Sequence, residues 1–172
     1  DWIELHNGSH QSVDLTGWFL SDKRLEPTLW ELPAGSLLGP GETLLVWADN
    51  DEGDGPHHAS FQLSADGESL FLSAPLEGGL HLMDSVTFGP QVTDQSHGRM
   101  PTTGGVFVRL LDPSPGFLNE PTPSEAVRFA AVEEPVVGPS LQVTGLPFSG
   151  QVIPLLIQGF TPGGVGLLRV GR

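Results

Sequence analysis

The segment from Asp49 to His58, "DNDEGDGPHH", holds the densest group of side chains that could do chemistry. Closely spaced carboxylates in a tight loop are ligands that calcium prefers, so Asp49, Asp51 and Asp54 are weak candidates for a calcium site. The spacing fails the EF-hand pattern, because an aspartate takes the position of the invariant glycine and Ser60 takes that of the final glutamate. The favoured interpretation is a solvated hairpin loop whose Asp, Asn and Gly residues form turns.

The two adjacent histidines after these acids suggest a second kind of site. A zinc ion held by His57, His58 and one aspartate is disfavoured, because adjacent side chains on an extended strand point to opposite faces. His58 alone is a weak candidate for contact with a ligand.

Arg99 is another weak candidate ligand contact, being one of only seven cations in the chain. Its planar guanidinium can contact a ligand, or it can pair with a nearby acid. With twenty-one acidic residues present, we favour the ion pair.

The tryptophans could form a platform for carbohydrate, since exposed coplanar aromatic rings stack on sugars. All four lie inside strand-like patterns, so we expect them in the core or at the rim of a β-sandwich. The placement of Trp30 in the core or at the rim is the least certain, because its strand is short and follows a turn at Leu25-Glu26-Pro27. Trp30 is therefore kept as a weak candidate for contact with a ligand. The four are Trp2, Trp18, Trp30 and Trp47.

Catalytic motifs are not evident. No G-x-S-x-G nucleophile elbow occurs, and carboxylate pairs such as Asp14 with Asp22 cannot be told from surface acids. We therefore predict that the chain is not an enzyme.

Composition excludes several classes of function. The formal charge of -14 disfavours binding of nucleic acid by a broad basic face, and docking on anionic lipid. The absence of cysteine excludes disulfides, thiolate catalysis and cysteine zinc sites. No apolar run approaches the length of about 20 residues that spans a bilayer, so we expect no membrane insertion.

Short apolar runs separated by Gly, Pro, Asn and Asp indicate an all-β sandwich or barrel. Evidence for helices is thin: Ser124 to Glu134 is the best candidate, but its alternation favours a strand. The strand-like runs are Asp1–Asn7, Val13–Leu20, Trp30–Leu32, Thr43–Trp47, Phe61–Leu63, Glu68–Ser73, Ser85–Phe88 and Val106–Leu111, then "SLQVTGL", "QVIPLLIQGF" and "VGLLRVG".

Six of these segments, in order, resemble the lamin tail domain family in the form found in bacterial secreted and cell-surface proteins. The resemblance implies a noncatalytic immunoglobulin-like β-sandwich over residues 1–119 that lacks its first strand. A Pro-rich linker at 120–123 and an accessory β-segment, or truncated second β-domain, at 124–172 would follow. The matching segments are "DWIELHN", "VDLTGWFLSD", "LPAGSLLGPGETLLVWAD", "GPHHASFQLSADGESLFL", "DSVTFGPQVTDQSHGRMP" and "VRLLDPSPGFLN".

The resemblance also implies a function and a location. We expect a binding or spacer module of a larger exported bacterial protein, outside the cell or on its surface. It would use loops and exposed strand edges to contact a protein or a cell-surface glycan, beside neighbouring domains of the same polypeptide. A missing first strand would leave its neighbour open to pairing with another chain. The alternatives are surface attachment assisted by carbohydrate or calcium, and a structural domain that positions a neighbouring hydrolase or nuclease.

Overall fold

The computed structural model describes residues 1–100, 102, 105–119 and 165–171. The chain divides into two compact units, Asp1–Glu120 with Gly159–Arg172, and Pro121–Gln158. All the described residues belong to the first unit. Its elements are β1 (Trp2–Asn7), β2 (Val13–Asp14), β3 (Phe19–Ser21), β4 (Trp30–Glu31), β5 (Leu37–Leu38), β6 (Thr43–Trp47), a 3-10 turn (Glu52–Asp54), β7 (Glu68–Leu76), β8 (Gly79–Phe88), β9 (Ser96–Met100), β10 (Val106–Leu110) and β11 (Val165–Gly171).

Two antiparallel sheets form an immunoglobulin-like β-sandwich. The first sheet has the order β10-β9-β11-β1-β6, and the second has the order β4-β3-β7-β8. A short ladder of β2 with β5 accompanies them. One apolar core lies between the sheets and takes side chains from both, which confirms the predicted fold class. Its buried members are Ile3, Leu5, Leu15, Leu20, Trp30, Leu32, Leu38, Val46, Ala48, Ala59, Phe61, Leu63, Leu70, Leu72, Val86, Phe88 and Val170.

Strand β1, predicted from the run Asp1–Asn7, is buried on both faces. Ile3 and Leu5 enter the core, as an alternating pattern requires. Glu4 lies on the other face and is also fully buried. The backbone N–H of Gly116 donates a hydrogen bond to the Glu4 carboxylate, so the segment after β10 contributes to covering that face.

The run Val13–Leu20 was predicted as one strand and forms two. Gly17 adopts a φ of 77°, a left-handed conformation that glycine tolerates, and the chain turns there. The run therefore contributes β2 to the short ladder and β3 to the second sheet.

The predicted strand at Phe61–Leu63 is wrong, although both of its apolar side chains are buried as the alternation indicates. Gln62 makes only a single bridge, to Asp49, so no ladder forms there.

The last strand changes the predicted domain boundaries. The run "VGLLRVG" is confirmed as a strand, and β11 pairs antiparallel with β1 on one side and β9 on the other. Since β1 also pairs with β6, both of its edges are occupied. The segment 159–172 thus belongs to the sandwich and not to a single accessory region 124–172. The linker 120–123 and the element at Ser124 to Glu134 lie outside the described residues.

Candidate functional site

An exposed tryptophan marks the end of the edge strand β6. Trp47 is 42% exposed, although its strand contributes Val46 to the core. Its backbone N–H donates to the His57 carbonyl at 2.8 Å, and its carbonyl accepts from the Ala59 N–H at 2.7 Å. These bonds fold the loop after β6 back beside the strand. We call the surface formed by Trp47, Asp49 and His58 the Trp47 surface.

The imidazole of His58 is held between the other two members of this surface. Its Nδ1 lies 2.8 Å from Asp49 Oδ2, and its ring stacks on the Trp47 indole with a centroid distance of 6.3 Å and an interplanar angle of 25°. The Asp49 carboxylate orients the imidazole of His58, and that imidazole packs against the Trp47 indole. The partly exposed Trp47 indole thus lies beside two polar side chains, those of His58 and Asp49.

The electrostatics of Asp49 favour its charged form. Partial desolvation raises the pKa of this carboxyl, but hydrogen bonds from His58 and from the Asp51 backbone N–H outweigh it, so the pKa is lowered overall. The Trp47 surface therefore carries a carboxylate at neutral pH.

The calcium candidates serve the turns of the loop. Asp49 Oδ1 accepts from the Asp51 N–H at 3.2 Å, and Asp51 Oδ1 accepts from the Gly53 N–H at 3.1 Å, where it caps the 3-10 turn. Asn50 between them has a φ of 60°, which asparagine tolerates in turns. Asp54 is exposed. Among the described residues no group of three or more His, Cys, Asp or Glu side chains could hold a metal ion.

Arg99 lies inside the sandwich and is not exposed to a ligand. Its Nη2 lies 2.9 Å from both carboxylate oxygens of Asp84, so the pair joins β9 of one sheet to β8 of the other. Asn119 Nδ2 donates to the Arg99 carbonyl at 2.9 Å and ties the segment after β10 to the same strand. The ion pair that the acidic composition favoured is the arrangement found.

Trp30 is removed from the candidate ligand contacts because it is only 5% exposed within the core. Trp2 is buried, and Trp18 packs against the core. Of the four tryptophans, the exposed one is Trp47, which the sequence interpretation placed in the core or at the rim. One signal could have identified it: Trp47 ends an apolar strand directly before the turn-forming acids.

The second sheet carries an apolar groove that the sequence interpretation did not predict. It lies where β7 and β8 extend beyond the predicted runs, and alternating Leu80 and Leu82 face outward there. Its lining residues are Arg24, Pro27, Phe71, Ser73, Leu80 and Leu82.

His97 is an aromatic packing residue in this structure. Its ring lies near those of Phe88 and Phe107, with centroid distances of 6.1 and 6.4 Å. Desolvation, and then the charge of Arg109, lower its pKa. The neutral form thus fits this environment best.

Comparison with known proteins agrees with the fold. No curated protein and no solved structure matches the chain significantly. A family model, the Lamin Tail Domain, matches residues 1–90, which run from β1 through β8. This family is a noncatalytic, immunoglobulin-like fold family. Since the match covers more than half of the sequence, the chain belongs to the lamin tail domain family.

Proposed function

We propose that the chain is a noncatalytic binding module of a larger exported bacterial protein, located outside the cell or on its surface. In this proposal the Trp47 surface and the adjoining edge of β6 make the contact with the partner. The observation that carries the proposal is the Trp47 indole, half exposed and supported by His58. Tryptophan is among the residues that most often dominate binding energy at interfaces.

An extended polypeptide is the partner that this arrangement fits best. Strand β6 ends the order of the first sheet; its outer edge at Trp47 is already bonded to His57 and Ala59, so a partner segment would add by backbone hydrogen bonds along the preceding part of that edge, Thr43–Leu45. The Trp47 indole then provides an apolar contact at one end of the added segment. Ionised Asp49, together with the formal charge of -14 of the whole sequence, favours a neutral or cationic segment.

A cell-surface glycan is the second candidate. An indole beside a carboxylate and an imidazole can stack on the apolar face of a sugar ring while the polar groups bond its hydroxyls. The sequence interpretation also considered carbohydrate, with Trp30 as the candidate aromatic residue; in this proposal Trp47 takes that role.

A selection experiment tests the proposal and separates the two partners. The whole chain is presented to a peptide display library and to an array of defined oligosaccharides. Retained ligands are then titrated against Trp47→Ala, with Leu25→Ala as the control, since Leu25 is 94% exposed and lies outside the surface. We expect a peptide whose affinity falls at least tenfold in Trp47→Ala and is unchanged in Leu25→Ala.

Retention of sugars alone, with the same dependence on Trp47, would assign the glycan instead. Binding that is equal in both variants, or absent from both collections, would contradict recognition by the Trp47 surface. It would leave the structural role of positioning a neighbouring hydrolase or nuclease.

A further inference from the structure

The carboxylate of the Trp47 surface has capacity left for a ligand. Asp49 carries its charge at neutral pH, and its side chain is 32% exposed. Each of its oxygens already accepts one hydrogen bond, Oδ1 from the Asp51 N–H and Oδ2 from His58 Nδ1. A carboxylate oxygen can accept a second bond, so both remain open to a donor on a ligand.

The contact with Asp49 determines which nitrogen of His58 can accept from a ligand. A carboxylate only accepts, so His58 Nδ1 carries the proton in this 2.8 Å contact. In the neutral imidazole Nε2 then has a free lone pair, and none of the described residues forms a hydrogen bond with it. Gly55 lies on that side of the ring, where a Cβ atom would be 4.0 Å from Nε2, so residue 55 has no side chain to cover it. Nε2 is thus a second acceptor beside Asp49.

The Trp47 indole adds an aromatic face to these two acceptors. The residue is 42% exposed, and the face of a tryptophan ring attracts cations more strongly than that of other aromatic residues. The centroid distance of 6.3 Å to His58 and the 2.8 Å contact of His58 with Asp49 bring all three groups within reach of one long side chain. On these three side chains the indole N–H is the one donor left for a ligand.

Basic residues of the chain do not balance the charge of the loop after β6. Asp51, Glu52 and Asp54 are exposed in this loop. The sequence has no Lys or Arg between Arg24 and Arg99, and among the described residues Lys and Arg form their ion pairs outside the loop. A cation brought by a partner would therefore meet carboxylates that have no basic counter-ion from this part of the chain.

The adjoining edge of β6 determines where a partner's side chains would lie. Leu45 precedes Trp47 by two residues in β6, so both side chains project from the same face of the sheet. A segment bonded along Thr43–Leu45 can place an aliphatic side chain beside Leu45. Its side chain two residues nearer to Trp47 then lies on the same face and can reach the indole.

We propose that the Trp47 surface recognises an arginine side chain of an extended polypeptide that adds to β6. A guanidinium has five N–H donors and no acceptor, so it can stack on the indole while it donates to Asp49 and to His58 Nε2. A lysine ammonium is a point charge and cannot stack in this way. This inference rests on the proposed function and specifies the residue type that its site reads.

Titration of the whole chain with blocked heptapeptides tests the assignment. The first probe is Thr-Val-Thr-Arg-Thr-Val-Thr, which reads the same in both directions and can pair in either strand orientation. Three matched probes carry citrulline, lysine or leucine in place of arginine, and citrulline keeps the shape of arginine without its charge. We expect the arginine probe to bind about tenfold more tightly than the citrulline and leucine probes, with lysine between them.

Asp49→Asn and Glu77→Gln separate the local contact from the overall charge. Each removes one negative charge, but Glu77 is exposed in the turn between β7 and β8, outside the Trp47 surface. We expect Asp49→Asn to lose most of the preference for arginine over citrulline, and Glu77→Gln to keep it. The ¹⁵N NMR signal of His58 Nε2 is a second readout, which the arginine probe should shift more than the leucine probe does.

The outcomes distinguish this inference from the function on which it rests. Equal affinity for the arginine, citrulline and leucine probes, lost in Trp47→Ala, would overturn arginine recognition and leave binding by the Trp47 surface intact. A preference for arginine that persists in Asp49→Asn would also overturn it. Equal affinity of the arginine probe for the parent chain and for Trp47→Ala would contradict both. If no probe bound the parent chain, arginine recognition would be wrong, and the display selection would decide the proposed function separately.

Discussion

Asp84 and Arg99 join the two sheets from inside the sandwich, with Nη2 of the arginine 2.9 Å from each carboxylate oxygen. Removal of either member would take this ion-pair partner from a buried charge, and breaking a buried pair in this way costs about 3–5 kcal/mol. Apolar replacement of both removes both charges at once. We expect Asp84→Leu and Arg99→Met each to destabilise strongly, and the double variant to be more stable than either, measured by urea unfolding. A double variant as unstable as the sum of the two would contradict the pairing.

Trp30 and Trp47 should respond oppositely to truncation. Trp30→Ala creates a cavity in the core, and we expect it to lower the free energy of unfolding by about 3–5 kcal/mol. Trp47→Ala removes a half-exposed ring, and we expect a change below about 1 kcal/mol. Chemical denaturation of the two variants makes the comparison. Equal losses would show that Trp47 has a structural role that its exposure does not indicate.

Stability should fall as the solution is acidified below neutrality. Desolvation lowers the pKa of both His97 and His6, from an unfolded value near 6.5. Between the folded and the unfolded pKa the unfolded chain binds more protons, so the free energy of unfolding decreases as pH falls through 6.5. Thermal melting between pH 7.5 and 5.5 should show this slope.

His97→Phe is the variant that isolates this effect, because it keeps a ring near Phe88 and Phe107 and removes the titrating group. We expect a shallower dependence on pH than in the parent chain. An unchanged slope would assign the dependence to other groups.

Gly67 and Gly35 form a matched pair for testing close packing. Both have φ near +90°, so alanine is strained at either position by about 1–2 kcal/mol. A Cβ atom at Gly67 would also overlap the backbone of Gly89, whereas nothing lies within 4 Å at Gly35. We expect Gly67→Ala to cost about 1–3 kcal/mol more than Gly35→Ala in denaturant unfolding. Similar losses would show that the backbone near Gly89 yields at little cost.

Calcium should not stabilise the chain. Asp49 and Asp51 accept hydrogen bonds from the backbone of their own loop, and Asp49 also contacts His58. We expect the same melting temperature in millimolar calcium and in chelator, because an ion bound to the folded state would raise it. A rise that Asp51→Asn abolishes would restore the calcium site.

The architecture was accessible from the sequence because alternation and turn residues report local structure directly. Thr43–Trp47 and "VGLLRVG" became strands for this reason. Which strands pair is a long-range property, and nothing local in "VGLLRVG" indicates that it lies between β1 and β9. The division of Val13–Leu20 depended on the left-handed conformation of Gly17, which a strand-like pattern of residues does not report.

The candidate site was less predictable. The pattern identified His58 and Asp49, and the structure brings their side chains together. The sequence interpretation chose Trp30 as the uncertain ring because its strand is short, whereas the exposed ring is Trp47. Burial of Trp30 and exposure of Trp47 follow from what covers each ring, which depends on segments distant in sequence.

The position of β11 also determines when the domain can fold. Trp2 of β1 pairs with Gly171 of β11, so the contact that closes the sheet is of very long range in sequence. Contacts of such long range lose the conformational entropy of loop closure before they contribute favourable energy, and this slows folding. During synthesis the β1-β6 pair and the β9-β10 pair of the first sheet therefore cannot be joined until β11 has left the ribosome.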